Sequence, residues 1–250
     1  MTTLPQNRAG IAFILIGIFC ISINDMLIKQ LSGGYPLHEI VFVRSAIGLM
    51  ITLCIVQFEG GWSILRTRTP WLHATRGLLI VISNMSYFVA LAALPLADAT
   101  ALFFVAPLFI TVLSIPLLGE KVGPLRIGAV LVGFIGVVIM QRPWADASEL
   151  DVSRLFLLRA WIWPAPEDIW AFVGLGLNSA AVGYCLSQAY RMADAATVAP
   201  FEYAGLPLAV FWGWAIFSEL PVLEVWIGII LILSSGLFVF LREQKKARMV

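Results

Sequence analysis

The sequence predicts an all-α, polytopic membrane protein, a helix bundle with about eight transmembrane helices. Two features of its composition support this class: 60% of the 250 residues are hydrophobic and only 12% are charged, whereas a soluble domain has roughly 25% charged residues. The third observation is that apolar runs recur along the chain, each near the roughly 20 residues that cross a bilayer. A soluble domain and a disordered chain are therefore excluded. The net charge of +1 offers no field for nucleic acid.

The apolar runs divide the chain into five spans, a polar interruption and three further spans. The first run is too long for a signal-peptide core and no small-residue cleavage site follows it, so we keep it as a span. Residues 141–168 hold three Arg, five acidic residues and three Pro, and the apolar stretch 155–163 within them is only half a span. We interpret that stretch as interfacial. The predicted spans are about 10–31, 36–58, 71–94, 97–119, 124–140, 169–190, 195–217 and 222–241.

The distribution of basic residues sets the orientation, because Lys and Arg concentrate on the cytoplasmic side. With the N-terminus inside, eleven of the sixteen Lys and Arg fall on the inner side. The sequence therefore predicts that both termini are cytoplasmic, that the loop 143–168 is external, and that the protein lies in the cytoplasmic (inner) membrane.

An internal repeat links the two halves of the chain. Residues 127–142 align without gaps on residues 227–242, and a glutamate precedes each segment, Glu120 in the first and Glu219 in the second. The loop after the first glutamate falls inside and the loop after the second falls outside, so the two copies have opposite orientations. Repeats of opposite orientation are typical of transporters. The shared positions are Ile127/Ile227, Gly128/Gly228, Leu131/Leu231, Gly136/Gly236 and Arg142/Arg242.

Several motifs resemble the EamA-type members of the drug/metabolite transporter superfamily. They are "SINDMLIK", "EIVFVR", "HATRGLL" and "ADATALFFVAPLF" in the first half and "ATVAPFEY" in the second. The resemblance implies a fold of ten helices in two inverted five-helix repeats that moves small metabolites across the cytoplasmic membrane. The most similar members are bacterial proteins that take up S-adenosylmethionine or riboflavin.

The chain departs from that family pattern because its second half lacks counterparts of helices one and two. It divides into a first EamA-like repeat (10–142), an external loop (143–168) and an incomplete second repeat of three helices (169–242). The loss of two helices preserves the topology of everything that follows. It also opens one flank of the central cavity, which a homodimer could close again.

Ionisable groups inside spans are candidates for function, since each costs about 2.5–3.5 kcal/mol at the bilayer centre on insertion scales. Asp25 and Lys29 are four residues apart in the first span, a spacing that allows them to pair. Arg44 lies at a similar depth in the second span, so an Asp25–Arg44 contact is expected. The contact is either an outer gate or substrate-carboxylate site, or a structural ion pair between neighbouring helices.

A second layer of candidates lies nearer the predicted inner side. Glu202, two turns into the seventh span, could bind a cationic group or take up a coupling proton, or it could pair with Arg76. Asn84 lies near mid-membrane, where an amide either contacts substrate or joins two helices. Gln188 lies near the inner end of the sixth span.

The function predicted from these features is secondary transport of small metabolites, driven by gradients and operating by alternating access. The sequence contains no P-loop, G-x-S-x-G or H-E-x-x-H motif, so neither an enzyme nor a cofactor is implied. The expected partners are a small-molecule metabolite, S-adenosylmethionine-like or riboflavin-like, and the lipid bilayer; nucleic acid is not expected. The alternative is a shortened, transport-inactive paralogue that acts as a membrane interaction protein.

Overall fold

The computed structural model describes residues 4–61, 67–118, 124–141, 161–193, 198 and 201–247. Within these ranges the chain forms nine α-helices and no strand. Most of the predicted interfacial stretch, 155–163, lies outside the described residues. The helices are α1 (Leu4–Ser32), α2 (Leu37–Glu59), α3 (Pro70–Ala93), α4 (Leu96–Phe103), α5 (Ala106–Leu118), α6 (Pro124–Gln141), α7 (Ile169–Met192), α8 (Gly205–Phe217) and α9 (Leu223–Ala247).

The predicted polytopic, all-α membrane bundle is confirmed. Four helices (α1, α2, α3 and α7) are long and apolar enough to cross a membrane, and shorter apolar stretches occupy 127–140, 205–217 and 223–238. Six of the eight predicted spans correspond to one helix each, and the other two are interrupted.

The two interrupted spans are the fourth and the seventh, and each breaks just before a proline. The fourth is divided by a turn at Phe104–Val105, and the seventh by a turn at Tyr203–Ala204. Proline has no N–H to give to the carbonyl four residues earlier, so Pro107 and Pro207 each remove one bond of the helical ladder. Because the turns expose backbone carbonyls inside the bundle, they are tolerated only where they are buried in protein or line a cavity.

The α7 helix packs antiparallel against α1 through small residues. A Cβ atom added at Gly10 would lie 2.6 Å from Ala193 Cβ, and one added at Gly17 would lie 2.8 Å from Leu186 Cδ1. Further along, Asn178 Nδ2 donates a hydrogen bond of 2.5 Å to the carbonyl oxygen of Cys20. This amide therefore joins two helices, a common use of such groups in membranes.

The repeat-related helices α6 and α9 also pack antiparallel. A Cβ atom added at Gly133 would meet Ser235 Oγ at 2.5 Å, and one added at Gly228 would lie 2.8 Å from Met140 Cβ. Residue numbers thus rise along α6 as they fall along α9. An inverted repeat requires this opposite direction of its two final helices.

The first part of α3 is little packed against the rest of the described residues: every residue from 71 to 84 is exposed. Its last turns alone are packed, with Phe88 and Leu91 buried. In the second half α7 takes the corresponding position and is covered by α1 and α2. In the part of the chain that the structure describes, no pair of helices covers α3 in this way.

Candidate substrate cavity

A cavity of about 480 Å³ lies at the centre of the bundle. Its size is within the roughly 300–1,000 Å³ of small-molecule sites. Helices α1, α2, α3, α4, α7 and α8 contribute to its wall, together with the breaks near Phe104 and Glu202. Most of the wall is apolar and includes Tyr87, Phe88, Phe103 and Phe104. The polar side chains of the wall are Ser22, Asn24, Asp25, Arg44, Asn84, Tyr87, Thr100, Ser179 and Glu202.

Four of the six predicted site residues meet at this cavity: Asp25, Arg44, Asn84 and Glu202. Arg76 does not line the cavity. It is exposed on α3 and lies in a lateral groove, on the surface of the bundle, that α3 forms with Phe103. Asn84 and Phe103 line both the groove and the cavity, which therefore adjoin on the open side of α3.

Gln188, the sixth predicted site residue, is half-buried on the inner half of α7 and does not line the cavity. Gln188 lies along α7 at a depth close to that of the cavity. The rotation of α7 about its axis, however, places Ser179, Val182 and Leu186 in the wall instead.

Asp25 is 7% exposed and its carboxylate accepts a hydrogen bond of 2.8 Å from the Tyr87 hydroxyl. The expected ion pair with Arg44 is not formed: among the described residues no Arg44 nitrogen lies within 4.0 Å of a carboxylate oxygen. The expectation that the two groups lie at similar depth holds, since both line the same cavity. They face it from different helices with separate partners.

Arg44 is held by a chain of hydrogen bonds that runs from α2 through α1 to α7. Its Nη1 donates to Asn24 Oδ1 at 3.0 Å, and Asn24 Nδ2 donates to Ser179 Oγ at 2.8 Å. The Ser179 hydroxyl in turn donates to the Leu175 carbonyl at 2.8 Å. The guanidinium carbon lies 4.7 Å from the centre of the Phe88 ring, and Nε is buried without a hydrogen-bond partner.

Lys29 does not pair with Asp25, although their spacing allows it. Lys29 Nζ instead lies 2.9 Å from Glu219 Oε1 and donates to the Leu94 carbonyl at 2.6 Å. The other oxygen of Glu219 accepts from the backbone N–H of Leu96 at 3.1 Å. This group, which we term the outer ion pair, joins the end of α1 and the α3–α4 turn to the loop between α8 and α9.

A hydrophobic cluster lies at the same end of the bundle as the outer ion pair. We term it the outer cluster, and it includes Ile28, Leu31, Ile40, Leu91, Leu96 and Phe172, each at most 5% exposed. The outer cluster and the outer ion pair both join the ends of α1, α3 and α4 to their neighbours at this end of the bundle.

Glu202 meets a tyrosine rather than an arginine. Its carboxylate accepts a hydrogen bond from the Tyr190 hydroxyl of α7. The alternative expectation, a pair with Arg76, is wrong because Arg76 lies in the lateral groove along α3. Glu202 therefore lines the cavity without a described cationic partner within 4.0 Å.

Sequence reasoning missed several polar members of the wall. Asn24 and Ser179 hold Arg44, and Tyr87 donates a hydrogen bond to Asp25. A signal existed for α1: Ser22 and Asp25 are three residues apart, so they share one face of a helix. Ser179 carries no such signal, because its role depends on the contact between α7 and α1.

The segment before α7 covers the outer turn between α1 and α2. The Tyr35 hydroxyl donates to Asp168 Oδ2 at 2.6 Å, and Glu39 Oε2 accepts from the Ile162 N–H at 2.9 Å. The hydrogen bond to the Asp168 carboxylate favours the neutral phenol and raises the pKa of Tyr35. These contacts fix where α7 starts, and so where Ser179 lies.

The apolar helix bundle and its central, partly charged cavity are those of a multi-pass membrane protein that can hold a small molecule. The model of the EamA-like transporter family matches residues 8–142. The chain therefore belongs to the EamA-like transporter family, and it is a transporter rather than an enzyme.

Relatives with known names extend the similarity over nearly the whole chain. A riboflavin transporter of Rhizobium johnstonii is 31% identical over 96% of this chain and 91% of its own length. An S-adenosylmethionine uptake transporter of Rickettsia prowazekii is 26% identical over 94% of each chain. A pseudopaline exporter of Pseudomonas aeruginosa is 25% identical over 86% of this chain and 89% of its own length. No solved structure matches the chain significantly.

The alignment with the Rhizobium relative is longer than this chain. The match to the Rhizobium riboflavin transporter extends over 282 positions, more than the 250 residues of this chain. The relative therefore has internal residues without a counterpart in this chain.

Proposed function

We propose that the protein is a secondary transporter that carries a small organic metabolite across the cytoplasmic membrane by alternating access, driven by gradients. The observation that supports this most is the central cavity, which brings Asp25, Arg44, Asn84 and Glu202 together from separate helices. Buried charges inside a membrane bundle are costly and typically mark a substrate or ion path.

Alternating access requires a barrier that can open on each side of the cavity. The outer ion pair and the outer cluster supply the barrier on the predicted outer side. The outer ion pair joins segments of the first repeat to the α8–α9 loop of the second, so a movement of one half against the other would break it. We assign the outward-closed state to this structure on that basis.

Glu202 is our candidate for the coupling or cation-binding group. It lies at a helix break, lines the cavity and bonds to a neutral hydroxyl group, so no fixed cation holds it in one charge state. A carboxylate in such a site can bind and release a proton as the cavity changes access.

The substrate class we propose is a small molecule with a planar ring. Four aromatic side chains line the cavity, and relatives are named for riboflavin and S-adenosylmethionine, molecules that both contain a fused aromatic ring. Aromatic rings favour stacked or edge-on contact with such a group.

The test is uptake of riboflavin and of S-adenosylmethionine by reconstituted vesicles under an imposed pH gradient. We expect flux with the wild-type chain and its loss in Glu202→Gln, which keeps the shape and removes the charge. The matched control is Glu167→Gln, which removes a carboxylate from the exposed segment before α7. Full flux in Glu202→Gln would remove that residue from the mechanism.

The alternative, a transport-inactive interaction protein, makes the opposite prediction. A wild-type chain that inserts and folds but moves neither substrate, nor any member of a metabolite panel, would favour it.

Orientation is tested separately with a thiol reagent that cannot cross the membrane. In intact cells we expect Glu167→Cys to react and Thr67→Cys to be protected, in agreement with cytoplasmic termini. The reverse pattern would overturn the proposed topology.

A further inference from the structure

The lateral groove has a volume of about 580 Å³ and lies beside the central cavity, on the surface of the bundle. Its α3 members recur three or four positions apart, so they form one face of the helix. All of them are exposed. In a membrane such a face meets either lipid or another protein. The groove is lined by Leu72, Thr75, Arg76, Leu79, Ile80, Ser83 and Asn84 of α3, together with Phe103 of α4.

The groove contains one charged side chain, that of Arg76. It is the only Arg or Lys in α3, and α3 contains no Asp or Glu. Among the described residues no carboxylate oxygen lies within 4.0 Å of its guanidinium. A basic side chain at a membrane surface attracts anionic headgroups, so the charge of the groove is complementary to an anionic lipid.

The depth of Arg76 suits a headgroup. Trp71, near the start of α3, is 79% exposed, and exposed tryptophans are enriched at the membrane interface. Arg76 follows about 7 Å further along the helix axis. Because helical side chains lean toward the N-terminal end and long basic side chains extend to the interface, its guanidinium can reach the headgroup layer.

The length of the groove suits one leaflet. From Leu72 to Asn84 it follows about 18 Å of helix, and the hydrocarbon of one leaflet is about 15 Å thick, half of the bilayer core. Its middle is apolar, with Leu79 and Ile80 on α3 and Phe103 on α4. The groove thus has a cation at its surface end and room for a hydrocarbon chain beyond it.

We propose that the lateral groove binds an anionic phospholipid, with its phosphate against Arg76 and an acyl chain along Leu79 and Ile80 toward Phe103. In the proposed topology this end of α3 is the inner one, so the lipid belongs to the inner leaflet. It covers the part of α3 that no described helix covers. A zwitterionic headgroup carries its own ammonium group, which would oppose the guanidinium, so a lipid such as phosphatidylglycerol is preferred to phosphatidylethanolamine.

A second copy of the chain is the competing occupant, and the charge of the groove disfavours it. In a symmetric dimer the same face of α3 would meet itself. The two Arg76 guanidinium groups would then approach each other, and α3 has no carboxylate to separate them. Like charges brought together in an interface are unfavourable.

The experiment measures which lipid lies beside α3, by fluorescence quenching in vesicles. The full chain, with its three native cysteines replaced, carries a fluorophore at Leu78→Cys, on the exposed surface of α3 but outside the groove lining. The vesicles are phosphatidylcholine with an equal minor fraction of either phosphatidylglycerol or phosphatidylethanolamine, brominated on the acyl chains. We expect the relative binding constant from quenching to be about fivefold higher for phosphatidylglycerol, the effect of one basic residue at a membrane surface.

The matched control position is Met50→Cys on α2. Met50 is 68% exposed and lies nine residues from the inner end of its helix, as Leu78 lies eight residues from the start of α3. The half of α2 that contains it, residues 46–59, has no Arg or Lys. We expect the two brominated lipids to quench a fluorophore there equally.

Three charge variants in the Leu78→Cys background locate the effect. Arg76→Gln should lower the ratio of the two binding constants to about one, whereas Arg76→Lys should retain most of the preference because the charge remains. Arg191→Gln removes the same charge from the exposed inner end of α7 and should leave the ratio unchanged.

The opposite outcomes are equally definite. Equal quenching by the two lipids at residue 78, or a preference that survives in Arg76→Gln, would overturn the proposal. The same preference at residue 50 would show a general attraction for anionic lipid instead of a site. Weak quenching by both lipids at residue 78, beside strong quenching at residue 50, would favour a second copy over α3. None of these measurements involves substrate, so the proposed transport function stands or falls separately.

Discussion

Helices α3 and α7 are each 24 residues long and both are apolar enough to cross a membrane, yet their surroundings differ. The α7 helix is enclosed by α1 and α2, with Phe172, Leu175 and Ala180 among its buried residues. The α3 helix is exposed from residue 71 to residue 84. Similar length and hydropathy therefore do not guarantee similar packing, because no two helices of the described residues cover α3 as α1 and α2 cover α7.

The same difference separates the polar groups of the two halves. On α7, Ser179 supports Arg44 and Asn178 joins the helix to α1. On α3, by contrast, Thr75, Arg76 and Ser83 line the lateral groove. Polar residues support the cavity where their helix is packed, as Tyr87 does in the last turns of α3 by donating to Asp25. Four experiments test or sharpen this contrast.

The largest effect is expected from filling the contact between α7 and α2. A Cβ atom at Gly176 would lie 2.5 Å from Ile47 Cβ, so Gly176→Val should destabilise the fold by about 1–3 kcal/mol, the usual cost of overpacking. Thermal unfolding in detergent measures the change. Gly77→Ala on α3 and Gly174→Ala on the free face of α7 are the controls, since nothing lies within 4 Å of a Cβ at either position. A loss in Gly77→Ala as large as in Gly176→Val would contradict the contrast between the helices.

The second effect concerns the outer ion pair, where the two halves meet. Lys29→Met removes the cation that holds Glu219 and should open the outer side, so that Thr100→Cys in the cavity wall reacts several-fold faster with an external thiol reagent. The three native cysteines are first replaced. Lys245→Met, near the C-terminal end of α9, is the charge-matched control. Unchanged reactivity in Lys29→Met would show that the outer cluster alone closes this side.

A smaller loss is expected for the amide that joins α7 to α1. Asn178→Ala removes its bond to the Cys20 carbonyl and should cost about 0.6–1.7 kcal/mol, the range measured for such bonds in membrane helices. Ser83→Ala on α3 should change nothing beyond experimental error because Ser83 is exposed. Equal effects in the unfolding assay would place both residues in comparable packing.

The smallest effect concerns a homodimer, which stays a prediction. If a second copy covers α3, Leu79→Cys on its exposed face should give a cross-linked dimer in membranes, whereas Leu177→Cys on α7 should not. Stability of the single chain should not change. A monomer with both variants would leave the face of α3 to lipid.

The sequence by itself determined the class, the order of the helices and the family. The class and the order of the helices depend on the lengths of successive apolar runs, because about 20 apolar residues are needed to cross a bilayer. The family depends on short motifs, each formed by residues that are adjacent in the chain. It also located four of the residues that line the cavity: Asp25, Arg44, Asn84 and Glu202.

Only the tertiary structure decided which of these groups meet. Depth in the membrane is one coordinate, but a contact also requires the rotation of each helix about its axis and its choice of neighbour. Lys29 therefore pairs with Glu219, distant in sequence, rather than with Asp25 one turn away. Asp25 accepts a hydrogen bond from Tyr87, and Arg44 donates one to Asn24. The helix breaks at Phe104 and Tyr203 were also decided by the tertiary structure. Each redirects the chain at the cavity wall and interrupts a span that the sequence predicts to be continuous.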